Sequence, residues 1–248
     1  MDPQSFYTER HRQESDYAGG TYDLAPLLGL PPVGRWMAGR AGATVRSADV
    51  GCGKAVFLRD FLLAVQRRGL SPEAAVGFDI VESEGHVFAD IPGGFTLRTA
   101  DLNQPPLPGE DGEFDLVICN HVLEHVFHTE ALLRDLRRLV QSEGRVLVSV
   151  PNVAAWVNRL LFLFGVQPLG SEVGTESITY GFRPARGKAH LGTFIPSGHI
   201  RDFTPLGLKD LVEACGFAVE GWWNQDERPW LRLTRWSGRG MGVWLRPV

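Results

Sequence analysis

Short apolar runs alternate with longer amphipathic segments along the first 150 positions. The runs are dense in valine, isoleucine, leucine and phenylalanine, which is typical of strands buried on both faces of a parallel sheet. They predict strands at 45–50, 74–80, 95–99, 114–119 and 144–150. Between them, apolar residues at helical spacing predict helices at 54–68 and 130–140. This alternation predicts an α/β fold with a doubly wound, mostly parallel sheet, which binds ligands beyond the carboxyl ends of its strands.

The pattern predicts one domain with three distinct segments. Residues 1–44 predict a helical preamble broken by glycine and proline pairs, and residues 45–150 form the sheet core. Residues 165–200 are rich in glycine and proline and carry little periodicity, which favours a lid or binding segment inserted into the domain.

The second half of the chain carries weaker signals. The apolar stretch 153–166 is interrupted by polar residues, so it predicts a core or amphipathic helix rather than a membrane-associated one. The remaining predicted elements are a helix at 205–215 that stops at Gly216, strands at 217–223 and 241–246, and a short helix at 229–236.

Composition narrows the function classes. The formal net charge of −4 disfavours nucleic acid as a partner, and 44% hydrophobic residues allow a sizeable core. Three widely spaced cysteines without a CxxC pair predict neither a disulfide framework nor a zinc site. Because the first residues are polar and reduced thiols fit the cytosol, we expect a cytoplasmic protein.

The first predicted strand ends in a glycine-containing turn, Asp49-Val50-Gly51-Cys52-Gly53. Glycines there let the backbone turn sharply and approach a ligand closely. A dinucleotide fingerprint would need glycine at position 56, which is Val56, and a phosphate-binding P-loop would need Ser or Thr at position 55, which is Ala55. Both alternatives therefore fail.

Acidic residues follow the next two strands. Asp79 ends the second strand about 26 positions after Gly53. A carboxylate at this place can accept hydrogen bonds from the hydroxyl groups of a ribose. Asp101 follows the third strand, and the segment 114–126, Phe-Asp-Leu-Val-Ile-Cys-Asn-His-Val-Leu-Glu-His-Val, closes the series.

These ordered motifs resemble class I S-adenosylmethionine-dependent methyltransferases, of the type that acts on small molecules and in glycan pathways. The resemblance implies a Rossmann-like sheet of seven strands with one antiparallel strand, for which 241–246 is the candidate. It also implies S-adenosylmethionine as the cofactor, with Asp101 at the adenine and the backbone amide of Leu102 beside it. The full predicted cofactor set is Asp49, Gly51, Cys52, Gly53, Asp79, Ile80, Asp101, Leu102 and Asn120.

Histidines supply the candidate catalytic groups. His199 closes the 165–200 segment and His125 belongs to the Leu-Glu-His motif, so these two are the candidate catalytic residues. His121, His125 and His128 recur at roughly helical spacing, but Glu124 is expected to face away from them, and no metal is predicted. Arg201 is a candidate anchor for an anionic substrate, and weaker candidates near the substrate or cofactor are Tyr7, Tyr17, Tyr22, Tyr180 and His190.

Five of the seven tryptophans lie after residue 220, interleaved with arginines. This composition favours packed terminal elements with extended arginines, and leaves peripheral membrane contact as the alternative. The sequence thus predicts methyl transfer to a small-molecule, sugar or lipid-linked acceptor. The alternatives are a non-catalytic partner with this fold, and an RNA or protein methyltransferase. The oligomeric state is not predicted.

Overall fold

The computed structural model describes residues 23–80, 90–174, 177, 180–181, 197–225 and 238–248. Several sequence predictions fall outside these residues: those for Tyr7, Tyr17, Tyr22 and His190, and the short helix at 229–236.

Seven strands of the described residues form one sheet: β2 (Ser47–Val50), β4 (Ala75–Asp79), β5 (Phe95–Thr99), β6 (Phe114–Asn120), β7 (Val140–Pro151), β8 (Phe217–Asn224) and β9 (Gly240–Pro247). Their order across the sheet is β5-β4-β2-β6-β7-β9-β8. Strand β9 is antiparallel to both of its neighbours, and the other recorded pairings in this sheet are parallel. The predicted doubly wound sheet is confirmed, and so is 241–246 as its antiparallel strand.

Helices cover both faces of this sheet. In chain order they are α1 (Ala25–Leu28), α2 (Pro31–Ala38), α3 (Val56–Gln66), α4 (Thr129–Leu139), α5 (Trp156–Leu163) and α6 (Pro205–Ala214), with a 3₁₀ turn at Leu123–His125. Two further short strands, β1 (Thr44–Val45) and β3 (Ser71–Pro72), pair with each other outside the main sheet.

The core consists of two apolar layers, one on each face. Alternate residues of β6 enter different layers: Val117 and Cys119 pack with α4 and α6, and Leu116 and Ile118 pack with α2 and α3. This follows from the two-residue period of a strand. The inward face predicted for α4 is confirmed, because its leucines at 132, 133, 136 and 139 are fully buried. Each such burial stabilises the fold by about 1.5–3 kcal/mol.

The order of the strands places the ligand edge. The chain passes from β2 outward through β4 to β5, and then returns to lay β6 on the other side of β2. The direction of winding therefore reverses between β2 and β6, and open α/β sheets bind ligands beyond the carboxyl ends of their strands at such a point. Gly51, which follows β2, and His121, which follows β6, stand at this edge.

Helix α5 departs from the prediction. The stretch 153–166 was expected to be a core or amphipathic helix, yet Asn158 is the only buried residue of its helical part. Leu160, Phe162, Leu163 and Phe164 are exposed, the last two at 78% and 81%. Among the described residues, no helix is long and apolar enough to cross a bilayer.

Candidate active site

The turn after β2 contains three left-handed residues at alternate positions. Gly51, Gly53 and Ala55 have φ angles of 73°, 48° and 53°. The amides of Gly51 and Cys52 both donate to the carbonyl of Phe78, at 2.7 and 3.3 Å, which ties the turn to β4. Ala55 is the only one of the three that is not glycine, and a non-glycine residue in this conformation costs about 1–2 kcal/mol. The turn therefore carries backbone strain at Ala55.

Gly51 permits a close contact between three segments. A Cβ atom built on it would lie 2.4 Å from a methyl group of Val122 and 3.4 Å from Leu102. The turn after β2 therefore meets both the loop after β5 and the segment after β6. The predicted cofactor residues Gly51 and Leu102 are brought together here.

Three carboxylates stand near the carboxyl ends of adjacent strands. Asp79 is 8% exposed and accepts a hydrogen bond from the amide of Gly53 at 2.8 Å. Asp49 is 3% exposed, and its pKa is raised to about 8, first by burial and then by the charge of Asp79. Asp101 lies two residues beyond Thr99, which pairs with Asp79 in the sheet.

The carboxylate of Asp101 organises its own loop. It accepts hydrogen bonds from the amide of Asn103 at 2.9 Å and from the side-chain amide of Gln104 at 2.7 Å. This is the local turn chemistry of aspartate, and it holds the backbone of Leu102 in a defined position.

This edge suits a ligand that carries hydroxyl groups and positive charge. Carboxylates accept hydrogen bonds from ribose hydroxyls and attract cations, whereas they repel the phosphates of a dinucleotide. S-adenosylmethionine fits these requirements, because it carries a ribose, an ammonium and a sulfonium and no phosphate. The pKa of Asp49 is raised first by burial and then by the charge of Asp79, and a bound cation would favour its ionised form.

Cys52 and Cys119 remain thiols in this environment. Burial, followed by nearby carboxylates, raises the pKa of each thiol well above its ordinary value. The strands β2 and β6 are neighbours, as expected, and all three cysteines, Cys215 included, are free and buried. A thiol without thiolate character is a poor nucleophile, so these residues fill space beside the ligand edge.

A second polar group follows β6, and it corrects one prediction. Glu124 was expected to face away from the histidines, but its Oε1 atom lies 3.0 Å from Nδ1 of His121. The reason is that residues 123–125 form a 3₁₀ turn rather than part of a regular helix, and His121 itself takes a left-handed φ of 57°. The pKa of Glu124 is lowered although burial opposes this, because His121 pairs with it.

The pair extends into a hydrogen-bond network. Nε2 of His121 lies 2.8 Å from Oε1 of Gln225, whose side-chain amide donates to Asn120. Burial lowers the pKa of His121, but the partnership with Glu124 outweighs it and the net direction is upward. Asn120 also accepts a hydrogen bond from the hydroxyl of Ser149, so its side chain is held on the β7 and β8 side of the site.

The two candidate catalytic histidines lie together at this edge. The rings of His125 and His199 are 5.0 Å apart between centroids, and Nδ1 of each faces a backbone carbonyl, that of Gly198 at 3.2 Å and that of Gly170 at 2.8 Å. The carboxylate of Glu172 accepts hydrogen bonds from the amides of Gly198 and His199, at 2.8 and 3.1 Å, and from the amide of Ser197.

Other candidates have structural partners. Arg201 donates to the carbonyls of Val126 and Phe127, so it fastens the segment after the lid to the segment after β6. Ile80 is half-buried at the end of β4, and Tyr180 is half-exposed with its ring against Gly174.

Sequence reasoning missed the partners of the histidines: Glu172 and Gln225 have no motif that singles them out. Glu124 belongs to the Leu-Glu-His motif, and its position three residues after His121 could have predicted that the two side chains pair.

Comparison with known proteins decides the family. A family model described as "Methyltransferase domain" matches residues 35–220. The chain belongs to this family. The chain is 28% identical to the ubiquinone biosynthesis O-methyltransferase of Pseudomonas paraeruginosa over 198 residues, which cover 77% of each protein. A shorter stretch of 56 residues is 39% identical to an uncharacterised protein of Methanocaldococcus jannaschii and covers 24% of that protein.

A solved structure supports the same fold. The 1,6-didemethyltoxoflavin-N1-methyltransferase of Burkholderia thailandensis matches with a TM-score of 0.57 at 15% identity, over 99% of this chain and 87% of that one. That crystal structure holds its substrate and S-adenosylhomocysteine. The resemblance predicted from the motifs is confirmed: the protein is an S-adenosylmethionine-dependent methyltransferase of class I.

Proposed function

We propose that this methyltransferase transfers the methyl group of S-adenosylmethionine to a small-molecule, sugar or lipid-linked acceptor bound beyond the carboxyl ends of β6 and β7. The observation that carries the proposal is the meeting of the glycine turn after β2 with Asp49, Asp79 and the loop after β5 at one edge of the sheet, since this edge offers carboxylate acceptors for the hydroxyl and cationic groups of the cofactor. The names of the relatives, an O-methyltransferase of ubiquinone biosynthesis and a toxoflavin-precursor methyltransferase, support a small acceptor.

Each residue of the cofactor set has a proposed role. Asp79 accepts the ribose hydroxyls, and Asp49 faces the ammonium group or holds the turn that does so. Asp101 and the amide of Leu102 bind the adenine. The remaining members, which line the turn and the strand ends, are Gly51, Cys52, Gly53, Ile80 and Asn120.

The cofactor supplies a methyl group that is already electrophilic because it is bonded to a sulfonium. The protein aligns the acceptor atom with the S–CH₃ bond and excludes water. His125 and His199 stand on the acceptor side of the edge, where they orient a hydroxyl acceptor or take its proton. His121 and Glu124 keep the segment after β6 in its strained conformation.

Calorimetry with S-adenosylhomocysteine tests the cofactor site. We expect one site per chain in the wild type and a loss of at least about tenfold in affinity, or 1.4 kcal/mol, in Asp79→Ala. The matched control is Asp210→Ala, on the exposed face of α6. Equal affinity of wild type and Asp79→Ala would refute the proposed ribose contact.

Transfer of a radiolabelled methyl group to a panel of phenols, amines, sugars and lipid-linked acceptors tests the reaction. Binding of S-adenosylhomocysteine without transfer to any member would instead favour a non-catalytic partner protein. Transfer to RNA or protein alone would overturn the small-acceptor proposal.

The exposed apolar residues of α5 support contact with a lipid surface when the acceptor is lipid-linked. Leu160, Phe162 and Leu163 belong to one helix, and Phe164 follows it. Such a cluster on an exposed helix is typical of peripheral membrane contact. Co-sedimentation with phospholipid vesicles should fall when Leu163 and Phe164 are both changed to Ser, and unchanged binding would refute this contact.

A further inference from the structure

Three residues that can ligate a metal ion, Glu124, His125 and His199, lie close together beyond the end of β6. Glu124 and His125 belong to the 3₁₀ turn after β6, and His199 lies at the end of the 165–200 segment. One ligand atom from each residue lies within 4.8 Å of the others. Bound ions hold such atoms at about 2.0–2.2 Å from the metal, so side-chain shifts of the order of an ångström would close the set around an ion.

The carboxylate of Glu124 has one buried oxygen atom without a hydrogen-bond partner among the described residues. Glu124 is 1% exposed, and although His121 pairs with Oε1, the buried Oε2 atom has no hydrogen-bond partner among the described residues. A buried carboxylate oxygen without a partner costs free energy of the order of 1–3 kcal/mol or more. A cation at Oε2 removes this cost.

The two histidines have the tautomers that metal ligands require. Nδ1 of His125 faces the carbonyl of Gly198, and Nδ1 of His199 faces the carbonyl of Gly170. A carbonyl oxygen can only accept, so Nδ1 of each ring carries a proton, and in the neutral ring Nε2 carries the lone pair. Metal-binding histidines almost always donate their other ring N–H in this way, which fixes the ring and raises its basicity as a ligand.

Backbone hydrogen bonds hold the two contributing segments together. The amides of Ile200 and Arg201 donate to the carbonyl of Glu124 at 2.8 and 3.3 Å. Glu172 holds the amides of residues 197–199, so the ring of His199 starts from a fixed backbone. Preorganisation of this kind lowers the cost of binding an ion.

From this arrangement we propose that Glu124, His125 and His199 bind one divalent transition-metal ion. Two imidazole nitrogens and one carboxylate oxygen suit Zn²⁺, Mn²⁺, Fe²⁺ or Co²⁺ rather than Ca²⁺. Three protein ligands leave coordination positions open, as in catalytic metal sites. This role rests on the proposed function. The ion would replace the two histidines as the group that orients the acceptor hydroxyl, and it would lower the pKa of that hydroxyl so that its proton passes to solvent. The O–CH₃ bond would then form as the S–CH₃ bond of S-adenosylmethionine breaks and S-adenosylhomocysteine leaves.

Cobalt binding tests the site without reference to activity. Full-length protein without a histidine tag, stripped with EDTA, is titrated with Co²⁺ and followed by visible absorption and calorimetry. We expect one ion per chain in the wild type, and affinity at least about tenfold lower in Glu124→Gln and in His199→Gln. The matched control is His128→Gln, because His128 is exposed and lies outside the cluster, and circular dichroism checks that each variant is folded.

Titration with S-adenosylhomocysteine in parallel separates the two proposals. If the cofactor analogue binds but folded wild-type protein takes up no Co²⁺, or if His199→Gln binds Co²⁺ as tightly as the wild type, the metal site is refuted and the proposed function stands. If Co²⁺ binds as expected but the analogue does not, the metal site stands and the proposed function fails.

Discussion

Replacing Asp49 by asparagine tests the electrostatics of the cofactor edge. Asp49 is buried in the centre of the sheet, and its carboxyl group has a pKa of about 8 in the folded chain against an ordinary value of 3.8. Between these pH values the folded chain keeps a proton that the unfolded chain has released. Asparagine has nearly the same shape and never ionises, so the substitution removes the dependence on pH.

The sign and size follow from proton linkage. Because the unfolded state binds fewer protons in this window, the wild-type free energy of unfolding falls as pH rises, by about 1.4 kcal/mol per pH unit from one group. The contribution of protonated Asp49 to the free energy of unfolding is fully present below pH 3.8, and it is lost as the pH rises to about 8. The whole window corresponds to a stability change of about 6 kcal/mol, and the interval from pH 5 to pH 7 to about 3 kcal/mol.

Urea unfolding of the wild type and Asp49→Asn, without cofactor, at pH 5, 6 and 7 measures this difference. We expect the stability of the variant relative to the wild type to increase by about 1.4 kcal/mol at each step. Other titrating groups are common to both proteins and cancel in the comparison. Asp210→Asn, at an exposed position of α6, serves as the control and should show no such trend. A difference independent of pH would refute the raised pKa of Asp49.

Three further substitutions test local features of the fold. Gly51→Ala combines a left-handed φ with a steric clash, whereas Gly42→Ala has a similar φ of 77° and nothing described within 4 Å. The left-handed φ should cost each variant about 1–2 kcal/mol of stability. The clash should cost Gly51→Ala more than this and should weaken its binding of S-adenosylhomocysteine. Equal stability losses and equal affinities of the two variants in calorimetry would contradict the close contact. Thr204→Ala removes the side-chain cap of α6 and should cost about 1 kcal/mol in urea unfolding, while Thr204→Ser should restore it; an unchanged midpoint in the alanine variant would count against the cap. Glu172→Gln should speed amide hydrogen exchange at 197–199, since a neutral amide accepts these hydrogen bonds less strongly; unaltered exchange would mean that other contacts hold this segment.

Much of the sheet, and the residues that stand at its ligand edge, could be predicted from the chain alone. Buried parallel strands must be continuously apolar, so 114–119 and 144–150 stood out, and the leucines of α4 lie on one face because a helix repeats every 3.6 residues. Glycine at 51 and 53 is dictated by backbone conformation, which is local information. The spacing of Asp79 and Asp101 followed because carboxyl ends of parallel strands share one edge.

Only the tertiary structure decided how the histidines and their partners after β6 are arranged. Glu124 turns toward His121 because residues 123–125 form a 3₁₀ turn, and helical periodicity places side chains wrongly there. His125 and His199 are 74 positions apart in sequence, and no local pattern predicts that hydrogen bonds to Glu124 and Glu172 bring them together. The sequence likewise did not predict that the apolar residues of α5 are exposed. An apolar pattern of this kind is the same whether the helix packs into a core or faces solvent. Local sequence fixes backbone preference and periodicity, whereas contacts between distant segments depend on how the whole chain packs.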